Sequence, residues 1–112
     1  MIKVREVGND LVINISGRLD VHFSAEVESE LERLMEKYPN ANFILNLAEV
    51  EYMSSSGLRV LVATMRKLKE RGKELKLCQL NQAVMKVFEV VELMDMFDIY
   101  DNETDALNSL KS

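Results

Sequence analysis

Three consecutive serines, Ser54, Ser55 and Ser56, stand between an apolar run and an amphipathic one, and no other residues in the chain are better placed to do chemistry. Hydroxyls in that position have three uses. One can cap a helix by accepting from an orphan backbone N–H, attack an acyl group if a base activates it, or receive a phosphoryl group. A single cap explains one serine and leaves two over. Acyl chemistry would have to use His22, the single histidine, and Met53 stands where a nucleophile elbow needs its first glycine, so a hydrolase is disfavoured. Otherwise His22 reads as a loop or helix-start residue. A phosphorylated serine is physically reasonable, because a helix start carries about half a positive charge and free N–H donors.

Other chemistry finds few residues. The sequence has no glycine-rich phosphate loop, no dinucleotide fingerprint and no His-Glu zinc helix, and Cys78 has no metal-ligand neighbours at short spacing, so no cofactor and no metal are expected. A phosphate receiver domain fails too. Its acceptor Asp would stand at a strand end that here reads Leu47-Ala48-Glu49-Val50, and the first strand has no acidic pair after it for a magnesium ion. Nothing in these residues demands an enzyme.

The elements that must position the serines are legible in the hydropathy pattern. Ile2 and Val4, then Leu11, Ile13 and Ile15, alternate around Gly8-Asn9, which predicts an opening β-hairpin. Phe23, Val27, Leu31, Leu34, Met35 and Tyr38 recur at helical spacing with glutamates between them, and Pro39 ends the pattern. The consecutive apolar residues Phe43-Ile44-Leu45, with Leu47, predict a central strand covered on both faces. A second helix carries Leu58, Leu61, Val62, Met65 and Leu68, with serines at its start, basic Lys69 and Arg71 at its end, and Gly72 after it. A strand at 75–78 follows, then a helix opened by Asn81 with Val84, Val87, Phe88 and Val91 inward, a short strand at 97–100 and a final helix at 103–110. The class is α/β: one domain over 1–112, a mixed β-sheet opened by a hairpin, parallel βα crossovers, and about four helices.

Composition narrows the classes further. With 112 residues, 47% of them hydrophobic, and only 4 Gly and 1 Pro, the chain can fill a core and needs no long loops. The net charge of −5, with no basic cluster denser than Arg66, Lys67, Lys69, Arg71 and Lys73 at one helix end, argues against nucleic acid. Apolar runs of three or four residues are too short for a membrane span. A lone cysteine and no apolar leader suggest a cytoplasmic setting.

The stretch from Phe43 to Leu61, with Tyr52-Met53-Ser54-Ser55-Ser56-Gly57-Leu58 at its centre, resembles the signature of the STAS domains, the anti-sigma factor antagonists of bacteria. Ser16-Gly17-Arg18-Leu19-Asp20 resembles the family's second hallmark, and the likeness runs through the element order to Phe88. It implies an anti-anti-sigma factor working by partner switching. The unphosphorylated form would bind an anti-sigma factor serine kinase and free the sigma factor for transcription. Phosphorylation would end binding, and a serine phosphatase would reset the phosphoprotein. The serine two positions before the motif glycine is Ser55, which the resemblance makes the acceptor, with Ser54 and Ser56 as alternatives. Many members carry Asp where this chain has Ser54. The partner-binding end would comprise Asp20, His22, Met53, Ser54, Ser56, Gly57, Leu58 and Arg59, with Met53 and Leu58 offering apolar contact and Arg59 charge. Another role the family allows is a scaffold or regulatory subunit in a stress-signalling or lipid-transport assembly.

Overall fold

A computed structural model describes residues 1–111. Strands β1 (Ile2–Val7) and β2 (Asp10–Leu19) form the expected hairpin, with Val7 opposite Asp10 across a two-residue turn. Gly8 takes a positive φ of 61° there, a conformation that glycine adopts without steric cost. From β2 onward each strand leads into a helix: α1 (Val21–Lys37), β3 (Phe43–Met53), α2 (Ser55–Glu70), β4 (Leu75–Cys78), α3 (Gln82–Val90), β5 (Asp98–Tyr100) and α4 (Glu103–Ser109). Strand order is β1-β2-β3-β4-β5, antiparallel in the hairpin and parallel elsewhere. β3 is central, as its unbroken apolar start requires.

The two sheet faces differ. Leu11, Ile13, Ile15, Phe43, Leu45 and Leu47 face the main core, which α1, α2 and α3 close through residues such as Leu31, Leu61 and Phe88. Val12, Ile44 and Cys78 face the other way into a small cluster that Ala106 of α4 completes. Polar groups lie beside that cluster. Asn46, 5% exposed, donates to Gln79 Oε1 at 2.5 Å and Glu103 Oε2 at 2.6 Å and accepts from Ala48 N at 3.0 Å, while Arg5 pairs with Glu103. Lys76 Nζ reaches Asp98 at 2.8 Å and Glu74 at 3.0 Å. Burial works against its ammonium, but those two hydrogen bonds outweigh it and hold its pKa above the usual lysine value.

β3 runs six residues beyond the expected Leu47 end. Its register against β2 shifts twice, between Asn14 and Ser16 and between Gly17 and Arg18, so extra β3 residues bulge out and the alternation that marks a strand is lost. Buried Leu47, Val50 and Met53 thus fall three apart, with exposed residues between them. Val91, expected inward, is instead the C-cap of α3 and 46% exposed, because the helix ends before its stripe returns to the core. The last strand begins at Asp98, with buried Phe97 just before it, and α4 ends one residue early, with Leu110 as its C-cap.

Because β2 to β5 are parallel, all four helices start at one end of the sheet, and each start is capped in the same way. Asp20, Ser54, Asn81 and Asn102 accept from the backbone N–H three residues on, at 2.9, 3.2, 2.9 and 2.8 Å. Each cap satisfies one otherwise orphan donor.

Candidate functional site

The three serines have different environments. Ser54 is the N-cap of α2: its hydroxyl accepts from Gly57 N–H at 3.2 Å and donates to the Leu19 carbonyl, and its own N–H donates to the same carbonyl at 3.0 Å. A hydroxyl used as both donor and acceptor in a half-buried position is poorly placed to receive a bulky group. Ser55, the first helical residue, is exposed, whereas Ser56 is half-buried. Ser55 therefore offers a hydroxyl to solvent at the positive end of a helix of 16 residues.

Leu19 and Met53 are paired across β2 and β3, so the starts of α1 and α2 lie side by side. Asp20 is exposed and caps α1, its Oδ1 accepting from Phe23 N–H at 2.9 Å. His22 is exposed in the first turn of α1. Arg59 is also exposed, and its guanidinium reaches Glu28 of α1 at 3.5 Å. Further along the same helix pair, Lys67 bonds Glu32 at 2.9 Å and Arg71 donates to the Met35 carbonyl at 2.6 Å.

Three of the residues expected at the partner-binding end face inward. Met53 and Leu58 are 3% and 6% exposed and belong to the core, so the apolar contact expected of them is made inside the domain. Gly57 is buried between them. A Cβ on it would lie 2.7 Å from Met53 Sδ and 3.0 Å from Leu19 Cβ, so the glycine lets α2 start close against β2 and β3. The apolar surface near Ser55 comes from residues the sequence reading passed over. Val21 is 67% exposed beside the α1 cap, and Tyr52 is 43% exposed with the Arg18 guanidinium 4.5 Å from its ring centre. Tyr52 could not be recognised as exposed without the second bulge, which sets the facing of the β3 end.

Among the described residues no group of three or more His, Cys, Asp or Glu could hold a metal, and no helix is long and apolar enough to cross a membrane. Cys78 is fully buried; burial first, and the Glu103 charge second, push its thiol pKa up to about 11.

The STAS domain model matches residues 1–106. The anti-sigma F factor antagonist of Paenibacillus polymyxa is 30% identical over 101 residues, which are 90% of this chain and 86% of that one. The anti-sigma-B factor antagonist of Bacillus subtilis (strain 168) is 34% identical over 85 residues, 76% of each chain. An anti-sigma factor antagonist from Mycobacterium paratuberculosis, known from its crystal structure, superposes with a TM-score of 0.88 over 100% of this chain and 94% of its own. At 22% identity that likeness establishes a common fold.

Proposed function

The chain belongs to the STAS domain family, and on that premise we propose that it is an anti-sigma factor antagonist switched by phosphorylation of Ser55. The observation that carries the choice of serine is the contrast within the run: Ser54 is committed as donor and acceptor, Ser56 is half-buried, and Ser55 is exposed. In this reading the chain acts in the cytoplasm and is a ligand and a substrate, not a catalyst. An anti-sigma factor with serine kinase activity would bind the unmodified helix-start surface and give up its sigma factor. It would then transfer the γ-phosphoryl group of its own ATP: Ser55 Oγ forms the new P–O bond, the bond to ADP breaks, and the hydroxyl proton leaves to a base of the kinase. A serine phosphatase would hydrolyse the ester and restore binding.

The magnitudes show where discrimination must arise. A phosphate adds about −1.5 to −2 charge, and a helix N-terminus stabilises it by about 0.3 to 2 kcal/mol, so the fold tolerates it. Reversing a 99:1 preference takes about 5.5 kcal/mol. That difference belongs to the interface, where a charge buried without a partner, or set against like charge, costs several kcal/mol. Asp20, His22 and Arg59, with Val21, Tyr52 and Arg18, are exposed and available to such an interface.

Incubation with the cognate kinase and ATP, followed by mapping of the product, tests the assignment. Phosphate incorporation is expected in the wild type and absent in Ser55→Ala; incorporation that survives in Ser55→Ala overturns it. Ser55→Asp is expected to weaken kinase binding in part, since Asp carries less charge than phosphate.

A further inference from the structure

Arg59 is the only charged residue between positions 54 and 63, and it lies four residues beyond Ser55 on α2. Residues four apart share a helix face, and helical side chains lean back toward the N-terminus, covering the turn before their own Cα. The surface within reach of Arg59 therefore includes Ser55. In the unmodified protein its guanidinium turns aside to α1 and meets Glu28 Oε2 at 3.5 Å. That pair is loose: the separation is at the long end of contact, and the two side chains are 63% and 27% exposed. Arg18, the other arginine near this end of the sheet, is stacked over Tyr52.

We propose that Arg59 exchanges partners when Ser55 is modified, leaving Glu28 and folding back along α2 onto the phosphate. The inference rests on the Ser55 reading and adds what modification does within this chain. A phosphate offers nearly two charges and three acceptor oxygens to a planar guanidinium fork, against one distant carboxylate oxygen of Glu28. The exchange alters two places at once. Ser55 gains a phosphate that Arg59 partly neutralises, and Glu28 becomes an uncompensated carboxylate in the groove between α1 and α2. A partner lying across the two helix starts meets changed charge at both.

Genetic incorporation of phosphoserine at position 55 of the full chain makes the test independent of any kinase, and ³¹P NMR follows the second ionisation of the phosphate. The wild type is expected to ionise roughly half a pKa unit below Arg59→Gln, with Arg59→Lys between them. Glu28→Gln, which frees Arg59 in advance, is expected at or below the wild-type value. His22, the single histidine, is exposed in the first turn of the neighbouring α1, so each comparison is repeated in a His22→Gln background. Equal phosphate pKa values in the wild type and Arg59→Gln overturn the exchange, as does a Glu28→Gln value above that of the wild type. Failure of a kinase to modify Ser55 is a separate result: it overturns the phosphorylation reading and leaves the Arg59 measurement standing.

Discussion

The helix starts around Ser55 and the polar strip beside α4 handle charge in opposite ways. At the helix starts, Asp20 and Ser54 each cap one helix, and the groups beside them are exposed or loosely paired: Ser55 is exposed and Arg59 reaches Glu28 at 3.5 Å. Beside α4, Asn46 is 5% exposed and bonds Gln79, Glu103 and the Ala48 N–H together, while Lys76 is gripped by two carboxylates. Exposed groups exchange one partner for another, or for water, at small cost, whereas a buried group that loses its partner pays its full desolvation penalty. The first region is therefore fit for switching, and the second fixes the sheet that the first stands on.

The largest effect is expected from breaking the fixed region. Asn46→Ala removes three hydrogen bonds made by one buried amide, to exposed Gln79, half-buried Glu103 and the Ala48 N–H, and each such bond is worth about 0.5 to 1.5 kcal/mol, more where the acceptor is charged. A net loss of about 3 kcal/mol in urea unfolding is expected, with Ser55 phosphorylation by the kinase retained in the folded fraction. A loss below about 1 kcal/mol would show that this network is as replaceable as a surface one, and the contrast between the regions would fail.

A second effect sharpens the comparison through pH. Burial pushes the Cys78 thiol from 9.0 up to about 11, so the folded state holds this proton more tightly than the unfolded chain does. Its contribution to stability is full below pH 9 and is lost as pH rises through about 11, for a total of about 2 to 3 kcal/mol. Lys76 acts with the same sign, since its pKa is also raised and its pairing fades above the ordinary lysine range. Cys78→Ala separates the two: unfolding free energy measured from pH 8 to 11 is expected to fall less steeply in the variant. Identical slopes would mean that the thiol keeps its proton no better in the folded state than in the unfolded one.

Much of this arrangement could be read from residues, and the parts that could not have identifiable causes. Caps are local, so Ser54 to Ser56 and Asn81 marked the starts of α2 and α3 directly, and the hairpin followed from Gly8-Asn9 between alternating runs. Met53 and Tyr52 were opaque, because two bulges in the β2–β3 pairing decide which of them faces the core, and a bulge leaves no periodic trace. The Arg59–Glu28 contact joins residues 31 apart on different helices, a proximity that depends on how α1 and α2 pack. Leu58 had the spacing of a core residue and the position of a surface one; the close approach at Gly57 draws it inward.

The smallest of these effects bears most directly on the serine run. Ser54→Ala deletes the cap of α2 and its bond to the Leu19 carbonyl, and a lost N-cap costs about 1 kcal/mol, within a range of about 0.5 to 2. A domain of about 100 residues then melts roughly 4 to 8 °C lower, which leaves it folded at working temperature. Because the capping hydroxyl and the proposed acceptor hydroxyl are different atoms, kinase-dependent labelling of Ser54→Ala at 25 °C is expected to match the wild type. A variant that stays folded but is no longer labelled would move the acceptor to Ser54. It would also require the hydroxyl that closes α2 onto Leu19 to leave both partners before it could react, which would put the switch inside the packing of the sheet end and not on its surface.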